Sequence, residues 1–342
     1  MLTQPASPAT LEFGLFNLMT RPSPQTSPGD VFAQMKAMVQ IADQGGFDIA
    51  WMTEHHLSNY SISTSPLTMT AHMAGFTSRI KIGPAVVVLP FYEPIRLIED
   101  IFLVDQLLDG RFVLGIGTGY QPREFTKLGL NIDNRVQRGL EIWDALWEAQ
   151  HTNHGEMAIE PLQRPIPTFA VGSDPAFRRK IIERGATPLC TPGMLAATAI
   201  GTARGLISET CAELGVTDSG PFAVQRYVFV TNSASEARHA AEQIKHHGRL
   251  AANMRRETPE IEGAFLGTPS YPNEPSVEEI LSNSLIGSAD RVAEQIITEA
   301  QLYGISHLSV FMQFANMPYN ATLGSLERFV EDVMPVVAWE FS

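Results

Sequence analysis

The sequence predicts an α/β protein folded as one (β/α)8 TIM barrel with insertions over residues 1–342, and three observations carry that expectation. Short β-rich runs alternate with longer stretches of helical periodicity, and eight such pairs can be counted. One run, IKIGPAVVVL at Ile80–Leu89, is continuously apolar, as a parallel strand covered on both faces must be. At 342 residues, eight pairs suit a closed barrel better than an open doubly wound sheet.

Glu12–Asn17 reads as the first strand and ends in the turn-rich Pro22–Pro28. Asp30 is the expected cap of a helix whose buried stripe is Val31, Met35, Met38, Val39 and Ala42, and Gly45-Gly46 stops it. Phe47–Met52 is the second strand, Pro66–Ser78 a helix, and Ile80–Leu89 the third strand, closed by Pro90. A helix over Pro94–Leu108 is expected to bury a stripe of Ile95, Ile98, Ile101, Phe102 and Val104–Gln106, and Asp109-Gly110 turns the chain into strand Phe112–Ile116. Helix Asn134–Gln150, strand Thr168–Val171, helix Ala176–Arg184 and a short strand at Thr187–Leu189 continue the pattern. Helix Met194–Leu214, strand Phe222–Thr231, a helix from Ser235, strand Ile305–Phe311 and helix Thr322–Val333 complete it.

Two segments interrupt the alternation. His151–Pro167 is polar and Pro-rich, while Arg255–Pro275 holds too many Pro and Gly for one regular element. Both are expected to be loop excursions (151–167 and 255–275), and the second follows the seventh strand, on the active face of a barrel. Lys+Arg 24 against Asp+Glu 37 leaves a net charge of −13, which opposes binding to nucleic-acid phosphates or anionic membranes. Two cysteines, Cys190 and Cys211, form no disulfide framework or metal cluster and suit a reducing compartment. MLTQPASPAT has no signal-peptide pattern, and no run of about 18 apolar residues occurs, so a cytoplasmic location is expected.

Chemistry in a barrel sits just past the strands' C-terminal ends. The second strand runs into Glu54-His55-His56, where the two-residue period puts His55 on one side and Glu54 with His56 on the other. One histidine is expected to do acid/base work, with Glu54 available to hold an imidazole in one tautomer; no further ligands at recognisable spacing suggest a metal. The fourth strand ends in Gly115-Ile116-Gly117-Thr118-Gly119, which lacks the dinucleotide fingerprint but signals close backbone approach. Gly172-Ser173 before a helix start reads as a phosphate-sized anion site or as an ordinary N-cap, with Arg135 and Arg138 within reach from the helix after the fourth strand. Phe16, Trp51, Tyr60 and Tyr120 suggest an apolar organic ligand. His239, His246 and His247 read as a solvated helix face.

From Glu54-His55-His56 outward the chain resembles the bacterial luciferase family of flavin-dependent monooxygenases. The resemblance runs in order through GFDIAWMTEHH, Ser65-Pro66, IKIGPAVVVLP, Pro94–Asp100, LVDQLLDGRFVLGIGTG, LIGSADRV, YGISHLSV and FVEDVMPVV, from about Phe13 to Val336. It implies the same barrel, reduced FMN as cofactor with O2 as co-substrate, a separate NAD(P)H:flavin reductase as partner, and a homodimer. Reduced flavin and O2 would then give a C4a-(hydro)peroxide that oxygenates a small apolar organic substrate, for instance an aldehyde or ketone in a Baeyer–Villiger reaction. Carried over by position, His55 is the active-site histidine, with Glu54 and His56 its motif neighbours. Ala85 and Val86 stand where the family has a non-prolyl cis peptide against the flavin. Gly172 and Ser173 match the phosphate site, and Arg135 or Arg138 its arginine. Gly117 stands where the luciferase α subunit has a reactive cysteine and Thr118 where it has a phosphate-binding arginine, so light emission is not expected. A cousin branch using the deazaflavin F420 for hydride transfer and a non-catalytic flavin-binding protein are the alternative readings.

Overall fold

Eight strand positions form a nearly closed parallel barrel in the computed structural model, which describes residues 10–152, 157–217 and 220–341. The expectation for the N-terminal segment falls, apart from Thr10, outside the described residues, as do residues 153–156 of the first excursion. The first strand, Glu12–Asn17, pairs with the second, Ile49–Met52, and with the eighth, His307–Phe311. Around the other side come Leu114–Gly117, Thr168–Val171, Thr187–Cys190 and Ala223–Val230 as strands four to seven.

The third strand differs from the unbroken run that the apolar sequence predicts. Lys81–Pro84 pairs with the second strand, the Ala85–Val86 peptide is cis, and only Val87–Val88 pairs with the fourth strand before a 3-10 turn at Leu89–Phe91. An Ile82–Phe112 bridge spans the seam between the two pieces. Glycines make that seam possible. A Cβ on Gly115 would stand 2.1 Å from the Pro84 carbonyl oxygen, and one on Gly117 would stand 2.8 Å from a Val86 methyl carbon. The GxGxG run therefore accommodates the broken third strand, a backbone neighbour that its sequence alone could not identify.

The first helix, Pro28–Gly45, begins earlier than Asp30 because the Ser27 side chain accepts from the Asp30 N–H; Asp30 is an acidic first-turn residue. It ends where Gly46 takes φ 95°, a left-handed conformation that costs glycine little. The next helix stops at Ala74, short of Ser78, because Asp43 captures the backbone there: its carboxylate accepts from the N–H groups of Ser78, Arg79 and Ile80. Helices pack outside the barrel through one apolar layer, including Val39, Leu97, Ile101, Leu146 and Phe177. A smaller cluster of Ile49, Trp51, Val113, Phe169, Leu189 and Ala223 fills the barrel itself. Among the described residues no helix is long and apolar enough to cross a membrane.

Elements beyond the predicted set are a helix at Pro122–Lys127, a strand Leu285–Gly287 beside the outer end of the seventh, and a helix Ala289–Tyr303 after it. Both excursions are pinned. Buried Asp105 accepts from the Leu162 and Gln163 N–H groups at 2.6 and 2.9 Å and from the Gln163 side chain at 2.7 Å. In the second excursion Ile261–Glu262 and Phe265–Leu266 form a hairpin that docks on the loop after the second strand, through Asn59 N–H to Ala264 O at 2.7 Å and Leu266 N–H to Asn59 Oδ1 at 2.9 Å. Buried Asn253 ties the hairpin's ends: it donates to the Glu260 and Gly267 carbonyls and accepts from the Glu260 N–H. Asn253→Ala leaves these groups unpaired, costs about 1–3 kcal/mol locally, and is expected to speed trypsin cleavage after Arg255 and Arg256, as read by mass spectrometry of timed digests. Cleavage at the wild-type rate would show that Asn253 does not hold the segment.

Candidate active site

At the C-terminal ends of the strands lies a cavity of about 510 Å³. Its lining draws on Phe16, Thr53, Ala85, Gly117, Val171 and Leu189, each at the end of a different barrel strand or just beyond it. The volume falls in the range of small-molecule and cofactor sites.

The Glu54-His55-His56 motif lies beyond the end of the second strand at Met52 and divides only partly as the two-residue period predicts, because Glu54 and His55 both reach the cavity wall and His56 does not. His55 lines the cavity, whereas His56 turns onto Glu54 and packs its ring edge-on to Phe91. Glu54 also reaches the cavity wall, but both of its oxygens are engaged. Oε1 lies 3.0 Å from His56 Nε2 and accepts from the Tyr92 hydroxyl at 2.8 Å, while Oε2 accepts from the Val88 N–H at 2.8 Å. Burial raises the Glu54 carboxyl above the usual carboxylate range, against the pull of these three bonds. The imidazole that Glu54 holds is therefore that of His56.

His55 is positioned by residues that the sequence reading passed over. The Gln121 side-chain amide donates to His55 Nδ1 at 2.6 Å, an arrangement that keeps the ring proton on Nε2. Glu124 Oε1 lies 3.5 Å from the same nitrogen and accepts from the His56 N–H at 2.6 Å. Both residues belong to the short helix Pro122–Lys127, with Gln121 at its N-cap. Pro122 at the first helical position, with Glu124 close behind, was the sequence signal for it.

Beyond His55 the wall is aromatic. The Tyr60 ring stands edge-on to His55 with centroids 4.9 Å apart, and its hydroxyl lies 3.1 Å from His247 Nε2. His247 overturns the solvated-face expectation. It continues the stripe Ala240, Ile244, His247 on helix Ala234–Met254, is 3% exposed, and lines the cavity. Trp51 departs from expectation in the other direction: it is fully buried inside the barrel, donating to His307 Nε2 at 3.2 Å, and leaves the ligand face to Phe16, Tyr60 and Tyr120.

Desolvation drops His247 to about 3, so the folded state keeps its imidazole neutral where the unfolded chain takes up a proton. Stability from this residue is complete above about pH 6.5 and is lost as pH falls toward 3, on the order of a few kcal/mol in all. His247→Gln, which can still meet Tyr60, is expected to flatten the urea-unfolding free energy between pH 6 and about 4 relative to wild type. Equal slopes would refute the buried neutral imidazole.

Thr118, Arg135, Gly172 and Ser173 also line the cavity. Arg135 donates to the Ile132 carbonyl at 3.4 Å and has no carboxylate partner among the described residues. Arg138 does not reach the cavity; it donates to the Pro90 and Tyr92 carbonyls and pairs with Glu93. The helix start that suggested an anion site is already capped: Asp174 Oδ1 accepts from the Ala176 and Phe177 N–H groups at 2.9 and 3.4 Å. An anion here must rely on side chains and loop backbone. Among the described residues no group of three or more His, Cys, Asp or Glu is placed to hold a metal ion.

The family described as luciferase-like monooxygenase matches residues 11–307. One relative, the oxygenase component of a flavin-dependent trigonelline monooxygenase from Acinetobacter baylyi, is 26% identical over 348 residues, covering 95% of each chain. The monooxygenase RslO1 from Streptomyces bottropensis has the same fold, with a TM-score of 0.81 at 18% identity, over 95% of this chain and 99% of that one. So does the oxygenating constituent of 3,6-diketocamphane monooxygenase from Pseudomonas putida, a type II Baeyer–Villiger enzyme solved with FMN (TM-score 0.72, 23% identity, 96% and 99% covered). An F420-dependent secondary alcohol dehydrogenase shares it too (TM-score 0.68, 16% identity, 96% and 99% covered).

Proposed function

This chain belongs to the luciferase-like monooxygenase family, and from that premise we propose that it is the oxygenase component of a two-component system. It takes reduced FMN from a separate NAD(P)H:flavin reductase in the cytoplasm and uses O2 to oxygenate a small organic substrate, by a Baeyer–Villiger or related reaction. The observation that carries this reading is that one cavity at the strand ends is lined both by Arg135, which has no carboxylate partner among the described residues, and by His55, positioned by Gln121. The relative named as an oxygenase component supports the two-component arrangement, and the FMN-bound fold neighbour supports the cofactor.

The residues fit FMN. Ala85, Val86 and Gly117 offer a surface without bulky side chains for the isoalloxazine, and Thr118, Arg135, Gly172 and Ser173 hold the phosphate. Arg135 takes that role and not Arg138, whose guanidinium is spent on backbone carbonyls. When bound, reduced FMN supplies the electrons that activate O2. The chain's own part is to bind, orient and exclude water. His55, with its proton kept on Nε2 by Gln121, is the acid/base group beside the reacting atoms; Glu54 and His56 position the wall next to it. The segment 255–275, docked on the loop after the second strand, is the lid of a single barrel domain. Ile95, Leu103 and Leu107 leave one face of helix Pro94–Leu107 exposed and apolar, and there we place the contact of a homodimer, which light scattering of the purified chain tests.

The test is a substrate panel incubated with a flavin reductase, NADH and isotopically labelled O2. Label in a product supports the proposal. Oxygen consumption without labelled product, or turnover on reduced F420 in place of reduced FMN, refutes it.

A further inference from the structure

Arg255 stands apart from the other cations around it. On the same helix and its continuation, Arg249 makes two short bonds to Glu274, Lys245 joins that carboxylate at 3.6 Å, and Arg256 pairs with Glu260 at 2.9 Å. Arg255 instead turns to the cavity, with its guanidinium carbon 5.1 Å from the centroid of Tyr120, and no carboxylate pairs with it among the described residues. Arginines elsewhere that lack a carboxylate, such as Arg21, Arg111 and Arg328, spend the guanidinium on backbone carbonyls, whereas Arg255 makes no such bond among the described residues and faces the cavity. The groups that face it are Tyr60, Tyr120, Tyr227, Tyr271 and His247. All five are neutral near pH 7, so none balances its charge.

The surroundings define what would. His247, 3% exposed, has an Nδ1 with no hydrogen-bond partner among the described residues, beside the same cavity. Phe16, Tyr60, Tyr120, Tyr227 and Phe311 line this side, a set of flat rings that suits a flat ligand. Tyr120 connects the cation to the proposed chemistry, since its ring lies 6.2 Å from that of His55. In the proposed function Arg135 is taken by the phosphate. We propose that Arg255 is the anchor for a carboxylate on the substrate, so that the compound oxygenated is an aromatic acid and not an uncharged chain. This rests on the oxygenase reading for the word substrate, but the anion site itself does not. A guanidinium matches a carboxylate with two parallel hydrogen bonds, strongest where aromatic walls thin the water.

Ligand-observed NMR titrations of benzoate and cinnamate against benzamide and cinnamamide test this on wild type, Arg255→Gln and Arg255→Lys, with FMN binding followed in parallel by flavin fluorescence. Wild type is expected to prefer each acid over its amide. Arg255→Gln should weaken the acids roughly ten- to a hundredfold while leaving the amides and FMN unchanged, with Arg255→Lys in between. Three outcomes overturn the proposal: acids and amides binding wild type alike or not at all, acid affinity surviving Arg255→Gln, or Arg255→Gln losing FMN instead, which would assign the guanidinium to the cofactor. Wild type that binds acids through Arg255 but binds no FMN would remove the flavin reading and leave the anion site standing.

Discussion

His55→Ala is expected to lower product formation at saturating reduced FMN by about a hundred- to ten-thousandfold, the usual worth of a positioned acid/base group. Oxygen consumption should continue, with hydrogen peroxide in place of product, so the measurement is the ratio of product to O2 consumed. The expectation follows from the geometry. His55 lines the cavity, its Nδ1 accepts from Gln121, and Tyr60 and Tyr120 hold its ring from two sides, which leaves Nε2 as the position that exchanges a proton. Gln121 acts only through His55. Its replacement by Leu should therefore move the pH profile of product formation more than the maximal rate, because the ring loses its fixed tautomer. Unchanged coupling in His55→Ala would remove the histidine from the mechanism.

Glu54→Ala is expected to cost about 3–5 kcal/mol of folding stability, because removing one member of a buried, bonded cluster strands the rest. It would orphan the Val88 N–H, the Tyr92 hydroxyl and His56 at once. Those groups sit on the second strand's exit, the short second half of the third strand, and the turn that follows, so Glu54 fastens the broken strand to its neighbour. Glu54→Gln keeps one acceptor and should cost roughly half as much. Urea denaturation of both variants reads the difference, and a wild-type midpoint for Glu54→Ala would show that the cluster contributes nothing. The contrast with His55 is useful: adjacent residues in one motif are expected to fail in different assays, His55 in coupling and Glu54 in stability.

The Glu54-His55-His56 motif was legible as strand-end chemistry, but strand alternation sorted it only in part: the strand ends at Met52, and Glu54 reaches the cavity wall beside His55 while His56 turns away. Gln121 was not legible, since its contact spans 66 positions and no local pattern marks it. His247 shows a partial failure: its spacing from Ala240 and Ile244 was helical, but the charged residues around it masked the stripe. For the arginines, both Arg135 and Arg138 stand at a helix start, and only the position of the Pro90 and Tyr92 carbonyls separated them. The helix start after Ser173 could serve in sequence as an anion site or an ordinary N-cap, and the Asp174 carboxylate decides for the cap.

Alternation of strand and helix, and the unbroken apolar third run, determined the barrel by themselves, because periodicity is a local property that burial imposes on each element separately. The residues at strand ends were determined too, since a parallel barrel brings all those ends to one face. What only the tertiary structure decided is which of them meet: that the GxGxG glycines make room for a cis-interrupted strand, that Trp51 sinks into the barrel, and that Arg255 faces the cavity with no carboxylate partner among the described residues. Those outcomes depend on distances between segments far apart in the chain, and a hydrogen bond or an ion pair is satisfied in space, not in sequence.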